Sequence, residues 1–226
     1  MSQAAAELFL MVWTDLAPEA DEAAFNEWYH REHIPDRVRG IPGFLACRRF
    51  RAVDGGPKYL TLYQLGNEDV LTSPAYLKLR SEPDENSSRF IPHFRNVLRS
   101  IAQPVVEAGM AEGGFISFAA FGPEEDDLAA LVREHAEHVV ARPGVVRLRL
   151  LKARRDLLEA NSSGIGNSAR TRLRPPDRLP DWLLLLEATS QAALAAPEVS
   201  GLFDAAAARA PVMGSIRASQ LMRLAR

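Results

Sequence analysis

The residues best suited to chemistry lie near the end of one predicted helix. Phe25, Tyr29 and His33 are spaced four residues apart, so a helix places them on one face, with Trp28 beside them. Imidazole titrates near neutral pH, which suits His33 to act as a general acid or base. Tyr29, one turn earlier, could orient the imidazole or donate a hydrogen bond to an oxyanion. The alternative is a structural histidine that binds a backbone carbonyl and secures the helix end.

Polar residues around this helix are weaker candidates. Arg37 and Arg39 follow the helix and could bind a substrate carboxylate or simply be solvated. His30 falls next to the inward face and Asp36 lies at the helix exit, so both are expected at the surface.

Two arginines fall on predicted strand faces where a charge would need a partner. Strand alternation places Arg48 on one face with Phe44, Ala46 and Phe50, and Arg149 on one face with Arg147. A buried guanidinium is costly when unpaired, so Arg48 and Arg149 are expected in interior salt bridges, with anion binding as the alternative. The predicted site therefore comprises two catalytic residues, His33 and Tyr29, and five substrate-binding residues, Trp13, Trp28, Arg37, Arg48 and Tyr63.

These residues belong to a unit that the chain uses twice. Arg31–His33 recurs as Arg133–His135, and a Pro-Gly pair follows each copy. Two further pairs of landmarks keep the same order: Pro57–Leu60 with Pro180–Leu183, and Ser73-Pro74 with Ala196-Pro197. We therefore predict two domains, residues 1–108 and 109–226, joined by a linker at 109–114.

Apolar periodicity predicts the same element order in both halves. Strands are predicted at 8–13, 44–53, 58–65, 97–106, 115–121, 145–152, 182–187 and 215–224. Helices are predicted at 18–34, 73–80, 124–140 and 197–208, with 83–88 as a loop and Pro35 as the end of the first helix. The order β-α-β-β-α-β predicts an α+β protein of two ferredoxin-like repeats. Residues 153–180 form an insertion in the second half, which is expected to be a solvated excursion or a functional lid.

Composition excludes several classes of function. The chain has 226 residues and a net charge of −2, so no strong field favours nucleic acid or an anionic membrane. The single cysteine, Cys47, fits a reducing compartment, and the short apolar run 8–13 predicts neither a signal peptide nor a membrane span. We therefore expect a cytoplasmic protein. The five histidines complete no metal-ligand set, so no metal is predicted.

One region of the sequence resembles a known superfamily. Residues 26–35, which read NEWYHREHIP, are followed by GIPGF at 40–44 and YLTLY at 59–63. This combination resembles the dimeric α/β-barrel superfamily and within it the EthD-like branch. The resemblance implies two four-stranded antiparallel sheets packed face to face into a barrel, with helices outside. It also implies a small-molecule ligand and a homodimer as the usual assembly.

For function, the resemblance favours a cofactor-independent enzyme. We expect His-assisted proton transfer on an aromatic, lactone or polyketide-like molecule, of isomerase, cyclase or dehydratase type. The alternatives are a non-catalytic ligand-binding or structural barrel, a cofactor-free monooxygenase, and a haem protein. The second half departs from the motif, because Ala130 and Leu131 replace Trp28 and Tyr29. It is therefore expected to be a structural partner without a site.

Overall fold

The structure, a computed structural model, describes residues 7–124, 127–158 and 177–225. Eight antiparallel strands form a closed barrel. The strands are β1 (Leu8–Leu16), β2 (Phe44–Gly56), β3 (Tyr59–Leu65), β4 (Phe94–Gly109), β5 (Phe115–Phe121), β6 (Val145–Ala153), β7 (Trp182–Ala188) and β8 (Val212–Ala225).

The order of the strands confirms the predicted fold. Around the barrel, β4-β1-β3-β2 forms one sheet and β8-β5-β7-β6 forms the other, so each half has the ferredoxin-like arrangement. The sheets join where β2 pairs with β8 and where β4 pairs with β6. The barrel thus closes within one chain, and closure removes the free sheet edges that two separate halves would expose.

Helices cover the outside of the barrel. They are α1 (Glu22–Trp28), α2 (Pro35–Val38), α3 (Pro74–Ser81), α4 (Glu85–Phe90), α5 (Leu128–Val140), α6 (Gln191–Leu194) and α7 (Pro197–Ala207). A wide π-helical turn, Tyr29–His33, connects α1 to α2, and tighter 3₁₀ turns cover Glu68–Thr72 and Ile91–His93. No helix in the described ranges has both the length and the apolar composition needed to cross a membrane.

Strand alternation divides the buried residues into three cores. Trp13, Leu60 and Leu62 belong to the barrel interior, together with inward residues of the other strands. Tyr59 and Tyr63 point to the opposite face and pack under α1, α3 and α4 in what we call the first cleft. An equivalent second cleft lies between the other sheet and α5 to α7. Successive residues of β3 therefore face two different cores.

The predicted end of the first helix at Ile34 is wrong. Asp21 caps α1 by accepting a hydrogen bond from the Ala24 amide, but the chain stays helical beyond Pro35. The widened turn provides the reason: the Ile34 amide donates to the Tyr29 carbonyl at 3.1 Å, five residues back. Pro35 then takes the first position of α2, where a missing N–H costs nothing.

The predicted loop at 83–88 is also wrong, because these residues contain most of α4. Asp84 caps this helix by accepting a hydrogen bond from the Ser87 amide at 2.7 Å. Phe90 and Ile91 then pack into the first cleft and anchor the segment. The polar composition of residues 83–88 is typical of a loop, so it did not indicate a short capped helix.

Phe44 does not share the face of Arg48 as predicted. The pairing of β2 with β3 shifts register between Phe44 and Ala46. Because of this bulge, Phe44 points into the first cleft, whereas Arg48 points into the barrel.

Both described ends of the 153–180 insertion lie against β4. The Arg154 amide donates to the Ile101 carbonyl at 2.7 Å, and the Arg178 amide donates to the Val97 carbonyl at 2.8 Å. Leu158 is buried in the first cleft. Residues 159–176, which carry most of the predicted excursion or lid, lie outside the described residues.

Candidate functional site

The first cleft contains a small cavity of about 80 Å³ between the sheet and the helices. Three strands, the wide turn after α1, the helices α2 and α3 and the 3₁₀ turn before β4 contribute to its wall. Its lining consists of Leu10, Val12, Tyr29, His33, Arg37, Tyr63, Tyr76, Arg80, Ile91, Phe94 and Arg99. Four predicted site residues, Tyr29, His33, Arg37 and Tyr63, are thus brought together.

His33 lies in an aromatic surround at the end of the wide turn. Its ring centre is 4.6 Å from that of Trp28 and 4.4 Å from that of Tyr29, and the residue is only 7% exposed. Arg37 Nη1 donates to the His33 carbonyl at 2.5 Å, which ties the arginine to the end of the turn. The two rings therefore hold the imidazole in one orientation at the cavity wall.

The Tyr63 hydroxyl is a buried proton donor at the cavity. The Cys47 thiol lies beside it, but the hydroxyl makes no hydrogen bond of normal geometry within the described part of the chain. Burial raises the pKa of Tyr63 well above its usual value, so the phenol stays protonated. Its hydroxyl is therefore suited to donate to an oxygen atom of a bound ligand.

The pKa of Tyr76 shifts in the opposite direction to that of Tyr63. Burial alone would raise its pKa, but the positive charges of Arg99, Arg80 and Arg37 outweigh burial and lower it. Arg99 Nη2 donates to the Tyr76 hydroxyl at 3.4 Å. Environments that move the pKa values of two groups apart in one cavity are typical of acid–base sites.

A buried arginine that was not among the predicted site residues, Arg49, lies beneath Tyr29. The Arg49 guanidinium carbon lies 4.1 Å from the ring centre of Tyr29 and 4.4 Å from that of Tyr59, at cation–π distance. Its Nη1 lies 2.8 Å from His30 Nε2, so His30 is half-buried and not a surface residue as predicted. Burial, followed by the Arg49 charge, lowers the pKa of His30. Asp36 is exposed at the helix exit, as predicted.

Two predicted binding residues lie elsewhere, in the barrel interior. Trp13 is fully buried, donates from Nε1 to the Pro57 carbonyl at 2.6 Å and packs edge-on against Phe118. Arg48 Nη1 donates to Glu187 at 2.5 Å, and Arg149 Nη1 lies 3.3 Å from the same carboxylate. The interior salt bridges expected for Arg48 and Arg149 are therefore present. The sheet separates Trp13 and Arg48 from His33.

Comparisons with known proteins identify the architecture. The sequence matches no family model and no curated protein. Among solved structures, an anthrone oxidase-like protein superposes with a TM-score of 0.68 at 12% identity, covering 99% of this chain and 94% of its own. A protein provisionally named a monooxygenase, from Fusobacterium nucleatum subsp. nucleatum, gives 0.58 at 10% identity, covering 99% and 96%. A haem-binding protein from Thermus thermophilus gives 0.50 at 13% identity, covering 96% and 92%. The chain has the dimeric α/β-barrel fold.

The two halves of this dimeric α/β barrel differ in their clefts. Repeat landmarks match His33 to His135, but the polar residues around it have apolar counterparts. Tyr29, Arg37, Tyr63, Tyr76 and Arg80 correspond to Leu131, Val139, Leu186, Val199 and Phe203, which pack in or against the second cleft. The His135 Nδ1 lies 2.9 Å from the Leu131 carbonyl, which is the contact of a structural histidine.

The barrel offers no evident metal centre in the ranges that the structure describes. Within them, no group of three or more histidine, cysteine, aspartate or glutamate residues could hold an ion. The polar side chains that line the first cavity are those of tyrosine, histidine and arginine.

Proposed function

We propose that this protein is a cofactor-independent enzyme that transfers a proton on a small molecule in the first cleft. The observation that supports it is the asymmetry between the clefts. His33, Tyr63 and Arg37 line one cavity, whereas the counterparts of the last two, Leu186 and Val139, lie in an apolar core. If His33 had only a structural role, the cleft would need the histidine but not Tyr63 and Arg37 beside it.

Each polar residue has a distinct role in this proposal. His33 removes a proton from a carbon acid next to a carbonyl or aromatic ring, and the electron pair moves onto the carbonyl oxygen. Tyr63 donates a hydrogen bond to the resulting oxyanion, and the Arg37 charge stabilises it. Tyr29 holds the imidazole in place. Return of the proton to another carbon gives an isomer, and its transfer to a departing hydroxyl gives dehydration.

The cavity size limits what the site accepts. A protein cavity of roughly 150 Å³ holds benzene, so about 80 Å³ accommodates one functional end of a substrate. Leu10, Val12, Ile91 and Phe94 supply the apolar wall. An aromatic or lactone substrate would place its reacting carbonyl inside and extend towards the surface.

A second candidate is a cofactor-free monooxygenase. The similarity in fold to an anthrone oxidase-like protein, with a TM-score of 0.68, favours it. The first step would be the same, because loss of a proton from an activated ring gives a carbanion that molecular oxygen can oxidise. Consumption of oxygen together with substrate would separate this candidate from an isomerase or dehydratase.

A haem enzyme does not fit this cleft. Cofactor-sized ligands occupy cavities of roughly 300 Å³ or more, well above the volume beside His33. The remaining alternative, a ligand-binding or structural barrel, predicts binding or stability without turnover.

The proposal has four further parts. We place the protein in the EthD-like branch, with domains at 1–108 and 109–226, and we expect a homodimer in the cytoplasm. Sedimentation of the full chain tests the dimer. If the single-chain barrel sediments as a monomer, the homodimer is ruled out and the proposed activity is unaffected.

Proton transfer can be tested before the product is known. The full-length protein is incubated in deuterium oxide with a panel of carbon acids, including anthrones, unsaturated lactones and β-keto aromatics. We expect catalysed deuterium incorporation at the acidic carbon of at least one compound, detected by NMR. Binding of panel members without exchange or oxygen consumption would favour the non-catalytic barrel.

A further inference from the structure

We propose that a second cavity, in the half without the candidate catalytic residues, binds a small aromatic amine in its cationic form. This cavity is separate from the one in the first cleft, and the inference does not depend on the proposed function. Its basis is an open volume, an apolar wall and one carboxylate at the rim that has no ion-pair partner among the described residues.

The second cavity lies where β2, β8 and β5 run side by side, with α6 and α7 beside it. Its volume is about 490 Å³. Small-molecule sites occupy roughly 300–1,000 Å³, and a cavity of roughly 150 Å³ already holds benzene. The second cavity can therefore hold a ligand of one or two rings.

The cavity is open because the second half lacks a counterpart of α4. In the first half, residues 82–93 connect α3 to β4 and contain α4, whose Phe90 packs into the first cleft. In the second half, residues 208–211, all of them described, connect α7 directly to β8. The outer face of β8 is left uncovered, so that Ser215 is exposed and Arg217 half-buried. A ligand here would cover the face that lacks a helix.

A polar floor and an apolar wall shape the cavity. Ser117 of β5 and Ser215 of β8 belong to the floor. Ser117 is only 6% exposed, and no described residue forms a hydrogen bond with its hydroxyl. The wall consists of Leu194 from α6 and of Val199 and Phe203, which are four residues apart on one face of α7. An aromatic ring suits this arrangement, because its faces pack on apolar side chains.

The charge at the rim is negative. Asp54, Asp204 and Arg217 are the charged residues among the described lining. Arg217 donates from Nη2 to Asp54 at 2.5 Å, so these two charges offset each other. The Asp204 carboxylate forms no ion pair or hydrogen bond with the described residues. A cation on the ligand would therefore complement Asp204 and could also lie over the ring of Phe203.

Burial and charge contribute to binding in different ways. Burial of the ring against the apolar wall supplies most of the affinity. Asp204 is exposed, so its ion pair with the ligand is screened by water and contributes selectivity more than affinity. The described lining contains no histidine, cysteine, methionine or tyrosine, so it offers neither an imidazole or phenol for proton transfer nor a usual ligand for haem iron. We therefore expect binding without turnover.

The test compares three probes that share one ring. Benzylamine, benzyl alcohol and benzoate, which are cationic, neutral and anionic at neutral pH, are titrated into the full-length protein and followed by NMR. We expect benzylamine to bind at least about threefold more tightly than benzyl alcohol, and benzoate to bind most weakly. Benzoate binding as tight as that of benzylamine would overturn the proposal.

A matched pair of carboxylate variants locates the charge effect. Asp204→Asn should abolish the preference for benzylamine over benzyl alcohol. Glu137→Gln makes the same change in charge at an exposed position of α5 outside the lining, so it should keep the preference. Equal loss of the preference in both variants would show only general electrostatic attraction and would contradict the proposal.

A variant that fills the floor locates the ring. Strand pairing matches Ser117 to Leu10 of the first half, because Leu10 pairs with Tyr63 and Ser117 with its counterpart Leu186. Ser117→Leu should therefore be compatible with the fold and should weaken benzylamine and benzyl alcohol alike by roughly tenfold or more. Unchanged affinity in a folded Ser117→Leu would contradict the proposal.

The remaining alternative is that a second copy of the chain covers this face. Absence of probe binding, together with conversion of a dimer to a monomer by Phe203→Ser in sedimentation, would establish that alternative and overturn the proposal. Neither result would affect the proposed proton transfer, since His33 and its cavity lie in the other half.

Discussion

Arg48 and Arg49 are neighbours in sequence, but their side chains lie on opposite faces of β2 and in different electrostatic environments. Arg48 points into the barrel, where Glu187 accepts a hydrogen bond from it at 2.5 Å. Arg49 points into the first cleft, where its guanidinium lies between tyrosine rings, and the described residues place no carboxylate within ion-pair distance. One arginine thus completes an ion pair, and the other maintains a buried positive charge beneath Tyr29.

This contrast predicts different effects of the same substitution. Arg48→Met leaves Glu187 buried with Arg149 as its remaining partner, so the free energy of unfolding should fall by roughly 3 kcal/mol. Arg49→Met removes a desolvated charge as well as its cation–π contacts, so the change should stay within about 1 kcal/mol. Chemical denaturation of both variants measures the difference. A larger loss in Arg49→Met would show that the cation–π contacts are a main source of stability.

The two repeat histidines should differ in stability. His135→Ala removes the contact to the Leu131 carbonyl and should cost on the order of 1 kcal/mol. His33→Ala enlarges a cavity that already exists and should cost no more than that, because functional groups are often retained at the expense of stability. Thermal melts of the two variants provide the comparison. Comparable losses of several degrees in both would favour a structural role for His33.

The ionisation of the tyrosines gives a prediction that depends on pH. The chain has four tyrosines, and the arginines lower the pKa of Tyr76, whereas burial raises those of Tyr59 and Tyr63. Spectrophotometric titration should therefore show one tyrosine ionising below the usual value of about 10, and Tyr76→Phe should abolish that step.

The same shift has a consequence for stability. Since the pKa of Tyr76 is lower in the folded state, the unfolded chain binds more protons between that pKa and about 10. The free energy of unfolding of wild type should then rise with pH through this window relative to Tyr76→Phe, and the gain should be lost as pH falls through the folded pKa. A flat difference between the two proteins would show that the arginine charges do not reach the phenol.

The sequence was sufficient to predict the fold, because its signals are local and repeated. The matched landmarks around His33 and His135 indicated two units, and Ser73 before Pro74 indicated a capped helix that the structure contains. The structure departs from the prediction where details of the backbone override the local conformational preference of the residues. The wide turn before Pro35 and the bulge after Phe44 each change which side chains share a face.

The candidate site was only partly predictable. Tyr29, His33 and Arg37 lie close together in sequence, so helical spacing places them near one another. Tyr76 and Arg80 were four residues apart on a predicted helix, a signal that could have identified them. Arg99 carries no such signal, because β4 comes beside the cavity only through tertiary pairing with β1.

The central claim, that the first cleft alone performs proton transfer, is tested most directly by exchange rates in paired variants. With the carbon acid that wild type exchanges fastest, deuterium incorporation is measured for His33→Ala and His135→Ala, with folding checked by circular dichroism. We predict that His33→Ala lowers the rate by roughly two to four orders of magnitude and that His135→Ala stays close to wild type. Exchange that survives in His33→Ala, or that falls equally in both variants, would contradict this account.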